Sequence, residues 1–205
     1  MTLRIHNFAE SLEVSHLYSN AAWWGVVYKA AFPSLDAMTC VRSDGWAQRG
    51  GIDRILTLKS GRVIKIDEKV RSKWYGDILL ERFSDEARKI AGWIQKPLDC
   101  EFIAYAVVPI ETCWLLPTLQ LQQAWRCFGR EWIKRYPKEI RAHNSSYITL
   151  STAVPPDVLV AGIADVARIA WNAPVASMPV DNLAVPSNPQ RQLALPLVIP
   201  GKAAP

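Results

Sequence analysis

Gly51-Ile52-Asp53-Arg54-Ile55-Leu56-Thr57-Leu58-Lys59-Ser60-Gly61-Arg62-Val63-Ile64-Lys65-Ile66-Asp67-Glu68-Lys69-Val70-Arg71 is the stretch around which the rest of the chain is organised. Two runs rich in β-branched and aliphatic residues flank Lys59-Ser60-Gly61-Arg62, a turn sequence, so Ile52–Leu58 and Val63–Arg71 are predicted as the strands of a hairpin. Side chains alternate along a strand. Ile64, Ile66 and Glu68 therefore share one face, while Asp67 and Lys69 share the other. The isoleucines can enter a core while the acid and the lysine emerge into a cleft. Asp53, on the preceding strand, can bring its carboxylate towards Asp67.

Upstream of the hairpin, Phe8–Ala31 has helix-forming composition without proline and stops at Phe32-Pro33, which predicts one long helix. Residues 33–51 read as a loop, with Ser43-Asp44-Gly45 as a turn. Downstream, Ile78–Phe83 reads as a third strand. Ser84-Asp85-Glu86 reads as the start of a short helix, with a capping serine and acids in the first turn. Phe102–Val108 is an apolar strand ending at Pro109. Leu119–Tyr136 is a second long helix with Leu121, Trp125, Phe128 and Trp132 at helical spacing. Pro155-Pro156 precede a last helix, Asp157–Trp171. This order predicts a mixed α/β domain with helices flanking a central sheet.

The chain has 205 residues, 50% of them apolar and 21% charged, enough for one domain with a hydrophobic core and some tail besides. Its formal charge of +5 suits a polyanionic partner without requiring one. Cys40, Cys100, Cys113 and Cys127 lie far apart with no CxxC pair, which argues against a zinc site and for reduced thiols. Met1–Asn7 lacks the features of a signal peptide, and no apolar run is long enough to cross a bilayer. The expected location is the cytoplasm, with no membrane partner.

Two carboxylates and a lysine converging on a cleft are the parts that phosphodiester hydrolysis needs. Carboxylate oxygens hold a hard divalent cation, Mg²⁺ or Mn²⁺. The cation polarises the phosphoryl group and generates the nucleophile, while a lysine orients water or offsets developing charge. An acid and a lysine two apart on a strand also occur as a solvated surface pair. Asp53 upstream and Glu81 downstream set this stretch apart from that pattern. Glu68, on the opposite face, reads as a salt-bridge or packing residue.

With these residues in view, the sequence resembles the PD-(D/E)XK nuclease superfamily. The resemblance rests on Asp53, then Asp67-Glu68-Lys69 as the D-x-K element, Glu81 after the apolar Ile78-Leu79-Leu80, and Gly92-Trp93 followed by Asp99. It covers about the first 110 residues, and departs from the pattern in having Ile52 where the motif's proline stands. It implies a restriction-endonuclease-like core, with a mixed central sheet flanked by helices, spanning residues 1–172. It implies catalytic roles for Asp53, Asp67, Lys69, Glu10 and Glu81, with Asp53, Asp67 and Glu10 as metal ligands. Glu13 is the alternative to Glu10 on the opening helix. The implied activity is Mg²⁺-dependent hydrolysis of DNA.

Basic residues gather in the same region and on the second long helix. Arg71, Lys73, Arg126, Arg130 and Lys134 are the candidate DNA contacts. Arg126, Arg130, Lys134 and Lys138 repeat every fourth position, as a phosphate-tracking stripe or as a solvated helix face. His6, His16 and His143 are isolated and read as structural.

The composition changes after Ala173. Half of the chain's 14 prolines fall between Pro174 and Pro205, and charges almost vanish, so this stretch is expected to be a disordered tail. Residues 173–191 read as a flexible linker, spanning on the order of 25 Å if unstructured. Residues 192–205 carry Gln192-Leu193-Ala194-Leu195-Pro196-Leu197. This hexapeptide resembles the bacterial sliding-clamp-binding motif Gln-Leu-x-Leu-x-Leu, and implies that Gln192, Leu193, Leu195 and Leu197 dock on a clamp groove. The competing expectation is a non-catalytic, clamp-tethered DNA-binding or replication-modulating protein that keeps a nuclease-like fold.

Overall fold

Three antiparallel strands, β1 (Leu35–Cys40), β2 (Arg54–Leu58) and β3 (Val63–Arg71), form one side of the main sheet. The β2–β3 hairpin closes as predicted. Gly61 adopts φ +81° in its turn, a conformation that costs glycine little. The computed structural model describes residues 18–144, 146–163 and 166–172, all within one compact unit.

From β3 the chain crosses through a second sheet before returning. It forms β4 (Ile78–Asp85) and β5 (Ile90–Ala91), and then enters β6 (Phe102–Val107), which lies parallel to β3 with Asp67 opposite Ile103 and Lys69 opposite Tyr105. β7 (Thr112–Pro117) and the short β10 (Ala167–Ala170) complete a six-stranded mixed sheet in the order β1-β2-β3-β6-β7-β10. The second sheet is antiparallel, in the order β5-β4-β9-β8, with β8 spanning Glu139–His143 and β9 Ile148–Val154. Helices flank the sheets, among the described residues α1 (Trp23–Ala31), the single-turn α2 (Gly45–Arg49), α3 (Thr118–Arg135) and α4 (Pro156–Gly162).

Strand alternation divides the interior into two cores, one on each face of the main sheet. Leu56, Ile64, Ile66, Ala104, Ala106, Cys113 and Leu115 face α1, where Trp24, Val27 and Tyr28 cover them together with Trp171. Ile103, Tyr105, Val107, Trp114 and Leu116 face the other way. They pack against Ile78, Leu80 and Val154 of the second sheet, Leu121 and Trp132 of α3, and Leu159 of α4. The Tyr105 hydroxyl accepts the Leu79 N–H at 3.1 Å, which ties β4 to the main sheet just before Glu81.

Several expectations are corrected. The predicted helix Phe8–Ala31 is interrupted at residues 20–22, and only Trp23–Ala31 forms a continuous described helix; residues 8–17 lie outside the described residues. The predicted loop at 33–51 contains both β1 and α2. The latter is started by Asp44, whose carboxylate accepts the N–H groups of Trp46 and Ala47 at 2.8 and 2.9 Å. Ser84-Asp85-Glu86 opens no helix. β4 runs on to Asp85, whose carboxylate caps a turn by accepting the Arg88 N–H at 3.1 Å. The predicted last helix stops at Gly162, and Ala167–Ala170 pair with β7 instead. β7, β8 and β9 are strands that the sequence patterns did not pick out. The architecture is therefore mixed α/β, with a mixed sheet flanked by helices. Among the described residues, no helix is long and apolar enough to cross a membrane.

Candidate functional site

Asp53 occupies the residue just before β2 and is pinned from both sides. Its N–H donates to the Ile66 carbonyl at 2.8 Å, and its own carbonyl accepts the Val41 N–H at 2.9 Å. The preceding turn requires glycine: Gly51 has φ +68°, and a Cβ there would stand 2.6 Å from a Leu98 methyl. The Asp53 carboxylate then accepts the Glu68 N–H at 2.8 Å, which holds it alongside β3.

On β3, alternation sends Asp67 and Lys69 towards the second sheet and Glu68 towards α1. Lys69 Nζ lies 2.6 Å from the Asp67 carboxylate. Asp53, Asp67, Lys69 and Glu81 all line one open cleft of about 630 Å³ between the two sheets, with Arg42, Trp93, Lys96 and Ser151 also on its walls. The Asp67 side chain is 5% exposed and that of Lys69 32%, so the pair faces the cleft rather than open solvent. Glu81 reaches the cleft from β4, and its carboxylate accepts the Trp93 N–H at 3.3 Å. Gly92 lets the 92–96 turn approach β4 closely, because a Cβ there would stand 2.3 Å from the Glu81 carbonyl oxygen.

The electrostatics follow from this crowding. Burial, and then the neighbouring negative charge of Asp67, push the Asp53 carboxyl up from its ordinary value to about 6, against the opposing pull of Lys69 and Arg42. For Lys69, burial disfavours the ammonium, but the charges of Asp67 and Asp53 and the hydrogen bond to Asp67 outweigh it. Its pKa is raised above the ordinary value, so the lysine remains a cation and a donor.

Glu68, the middle residue of the D-x-K element, belongs to a buried network beneath the cleft. It accepts hydrogen bonds from the Tyr28 hydroxyl at 2.7 Å, Arg54 Nε at 2.5 Å and Arg42 Nη2 at 3.0 Å. Arg42 also lies 3.4 Å from Asp53, and so links this network to the cleft. Arg42, Arg54 and Tyr28 were not singled out in the sequence. For Arg54 a signal existed: a cation in a strand position that alternation assigns to the core-facing side with Leu56 requires a buried anion.

The other predicted residues are placed as follows. Arg71 lines the cleft, but its guanidinium donates to the Asp77 carbonyl at 2.6 Å and carboxylate at 2.7 Å. Lys73 is exposed in the turn after β3. Arg126, Arg130 and Lys134 are exposed on α3, whereas Lys138 lies beyond the end of that helix and pairs with Asp77 at 3.6 Å. Asp99 is exposed beside Gly50. His143 ends β8. Glu10, Glu13, His6, His16 and the peptide Gln192–Leu197 lie outside the described residues.

Among the described residues, no group of three or more His, Cys, Asp or Glu side chains is arranged to hold a metal ion unaided. The described donors facing the cleft are hard carboxylate oxygens. Mg²⁺ commonly uses one or two carboxylates, and completes its shell with water and substrate phosphate. Burial is the larger cause of the raised Asp53 pKa and repulsion from Asp67 the second; a cation between the two carboxylates would relieve that repulsion, and these hard oxygen donors are of the kind that Mg²⁺ or Mn²⁺ takes.

The fold and site thus define a mixed α/β protein with a carboxylate- and lysine-lined cleft between two sheets. No protein-family model, no curated protein and no solved structure matches the chain.

Proposed function

We propose that the chain is a metal-dependent deoxyribonuclease that hydrolyses phosphodiester bonds in the cleft between its two sheets. The observation that carries this reading is that Asp53, Asp67 and Lys69 share one cleft, two carboxylates beside a lysine held in its charged form. Resemblance of Asp53 and Asp67-Glu68-Lys69 to the PD-(D/E)XK pattern supports it. Asp53 and Asp67 would hold Mg²⁺ or Mn²⁺, and Glu10 and Glu81 are candidates for further ligation. The bound cation supplies Lewis acidity at the scissile phosphate and lowers the pKa of water.

The chain's own residues then divide the remaining work. An ammonium carries three donors, and one Lys69 proton is engaged by Asp67. The others point a positive charge at a phosphoryl oxygen or fix the attacking water. Because Lys69 stays protonated at neutral pH, it acts as a donor and not as the general base. Arg42 and the Glu68 N–H hold Asp53 in place.

Cleavage of labelled linear, nicked, branched and single-stranded DNA with Mg²⁺ or Mn²⁺ tests the reading. Asp67→Ala and Lys69→Ala are each expected to abolish metal-dependent cleavage while leaving the far-ultraviolet circular dichroism unchanged. Retained cleavage by the purified double variant refutes the enzymatic assignment.

One observation favours a second reading. Asp67 is paired with Lys69 and Asp53 with Arg42 within the protein itself, so each carboxylate already has a cationic partner. A clamp-tethered DNA-binding or replication-modulating protein with the same fold would look like this, and absence of cleavage on every substrate selects it. In both readings, Gln192, Leu193, Leu195 and Leu197 recruit the protein to the bacterial sliding clamp. The tether would keep the domain near DNA at an effective concentration approaching about millimolar. Deleting residues 192–197 is expected to abolish clamp binding in a pull-down with purified clamp, and unchanged binding would refute the tail assignment.

A further inference from the structure

The Glu81-Arg82 segment of β4 and the 92–96 turn form a partition with a cavity on each side. Glu81, Trp93 and Lys96 line the acid–lysine cleft. Their chain neighbours Arg82, Ile94 and Gln95 line a second cavity, of about 390 Å³, walled otherwise by Phe83 and helix α3. The partition is hydrogen-bonded to α3 and within itself. Gln122 of α3 donates to the carbonyls of Trp93 at 3.1 Å and Lys96 at 2.8 Å, and Gln95 donates to the Arg82 carbonyl at 2.7 Å.

The helical wall carries an aromatic ring beside two cations. Trp125 lies against Gly129, where an added Cβ would stand only 2.9–3.2 Å from the indole ring. Glycine at this position makes room for the ring against the helix, and Trp125 lines the cavity. Arg126 and Arg130, one helical turn apart, border the same space and are exposed. Among the described residues neither has an ion-pair or hydrogen-bond partner. Phe83 adds a second ring, with the Arg82 guanidinium 5.8 Å and the Lys89 ammonium 5.0 Å from its centroid.

An aromatic face for stacking, with unpaired guanidinium groups beside it, is the chemistry that binds an unpaired nucleotide: the base stacks and the phosphate pairs with arginine. The volume falls within the range of small-ligand sites. We infer that this second cavity seats one unstacked nucleotide of the DNA strand whose backbone enters the acid–lysine cleft, so that the protein selects single-stranded DNA over duplex. A base inside a duplex has both faces covered by its neighbours and offers only its edges, so it cannot use the Trp125 face. The inference takes the identity of the strand from the nuclease reading, but nucleotide binding in the cavity does not require cleavage.

The test is fluorescence anisotropy with labelled single-stranded and blunt duplex oligodeoxynucleotides, in EDTA at fixed salt. Wild-type protein is expected to prefer the single strand. Trp125→Ala and the pair Arg126→Ala/Arg130→Ala should each weaken single-strand binding roughly fivefold or more, while duplex binding stays within about twofold. Trp125→Tyr, which keeps a stacking ring, should retain most of the affinity. The arginines are exposed, so their double variant decides the matter if Trp125→Ala fails to fold. Equal loss on both DNA forms, no loss on either, or a wild-type protein without single-strand preference overturns the inference. A parallel Mg²⁺ cleavage assay separates the two readings. Single-strand preference without cleavage removes the nuclease and leaves the nucleotide site; cleavage without that preference does the reverse.

Discussion

At the scale of single residues, Asp53 is the most informative position, because its surroundings oppose its own charge. Its carboxyl sits at about 6 in the folded protein, through burial first and the charge of Asp67 second, against an ordinary value of 3.8. The folded state therefore holds this proton more tightly than the unfolded state does. The associated stability is complete below pH about 4 and is lost as pH rises through about 6, leaving a cost on the order of 1–3 kcal/mol at neutral pH. Asp53→Asn removes the charge but keeps an oxygen to accept the Glu68 N–H. In EDTA at pH 7.5 it is expected to melt at a higher temperature than wild type, with the difference closing towards pH 4. Saturating Mg²⁺ should raise the wild-type melting temperature and leave the variant unmoved. A variant that melts below wild type at neutral pH would mean that the Arg42 contact outweighs the crowding with Asp67. Glu68 shows the opposite case. Its charge is buried but met by Arg54, Arg42 and Tyr28, which is why the middle residue of the D-x-K element serves the fold and not the cleft.

At the scale of elements, the 92–96 turn decides whether Glu81 stands where the cleft needs it. A Cβ on residue 92 would lie 2.3 Å from the Glu81 carbonyl oxygen and 2.7 Å from the carbonyl carbon and Cγ of the same residue. Backbone on both sides cannot yield as a flexible side chain can. Gly92→Ala is therefore expected to destabilise the protein by about 1–3 kcal/mol in urea denaturation, and to impair whatever activity the cleft has beyond that loss of stability. A variant as stable as wild type would mean that the turn has room the close approach denies. The same elements show what a sequence makes legible. The β2–β3 hairpin and α3 could be read because each repeats one period over a long enough run, period two around Ile64 and Ile66 and a helical period from Leu121 to Trp132. Ser84-Asp85-Glu86 misled because an acid that can cap a helix can equally cap a turn, and only the pairing of β4 with β9 selects the turn. The β10 sequence Ala-Arg-Ile-Ala is too short to carry a period, and it becomes a strand because β7 offers an edge to pair with. Asp53, Asp67 and Lys69 could be read together because they lie on one hairpin. Arg42 could not, since it reaches Asp53 and Glu68 from a loop whose path is set by contacts between distant segments.

For the molecule as a whole, the main sheet separates two cores that share strands but not side chains, and each core contains one cysteine. Cys100 lies in the core between the sheets and touches the Thr118 hydroxyl at 3.4 Å. Cys113 lies in the core beneath α1. Burial pushes the Cys100 thiol up to about 11, and burial together with the charge of Glu68 holds Cys113 well above its ordinary value. A thiol kept protonated and enclosed reacts with a disulfide reagent only when its surroundings open. Cys40 and Cys127 are exposed. At pH 8, an aromatic disulfide reagent is therefore expected to modify these two residues rapidly in the native protein, and Cys100 and Cys113 slowly. Because β6 and β7 contribute to both cores, opening one face strips support from the strands of the other. Peptide mapping should then find the two slow cysteines reacting at the same rate, with the same urea dependence as global unfolding. If Cys113 instead reacts much faster than Cys100, with a shallow urea dependence, α1 detaches while the two-sheet core and its cleft stay closed. The buried contacts of Glu68 with Tyr28 and Arg54 would then be a local clasp on α1 rather than a support for Asp53.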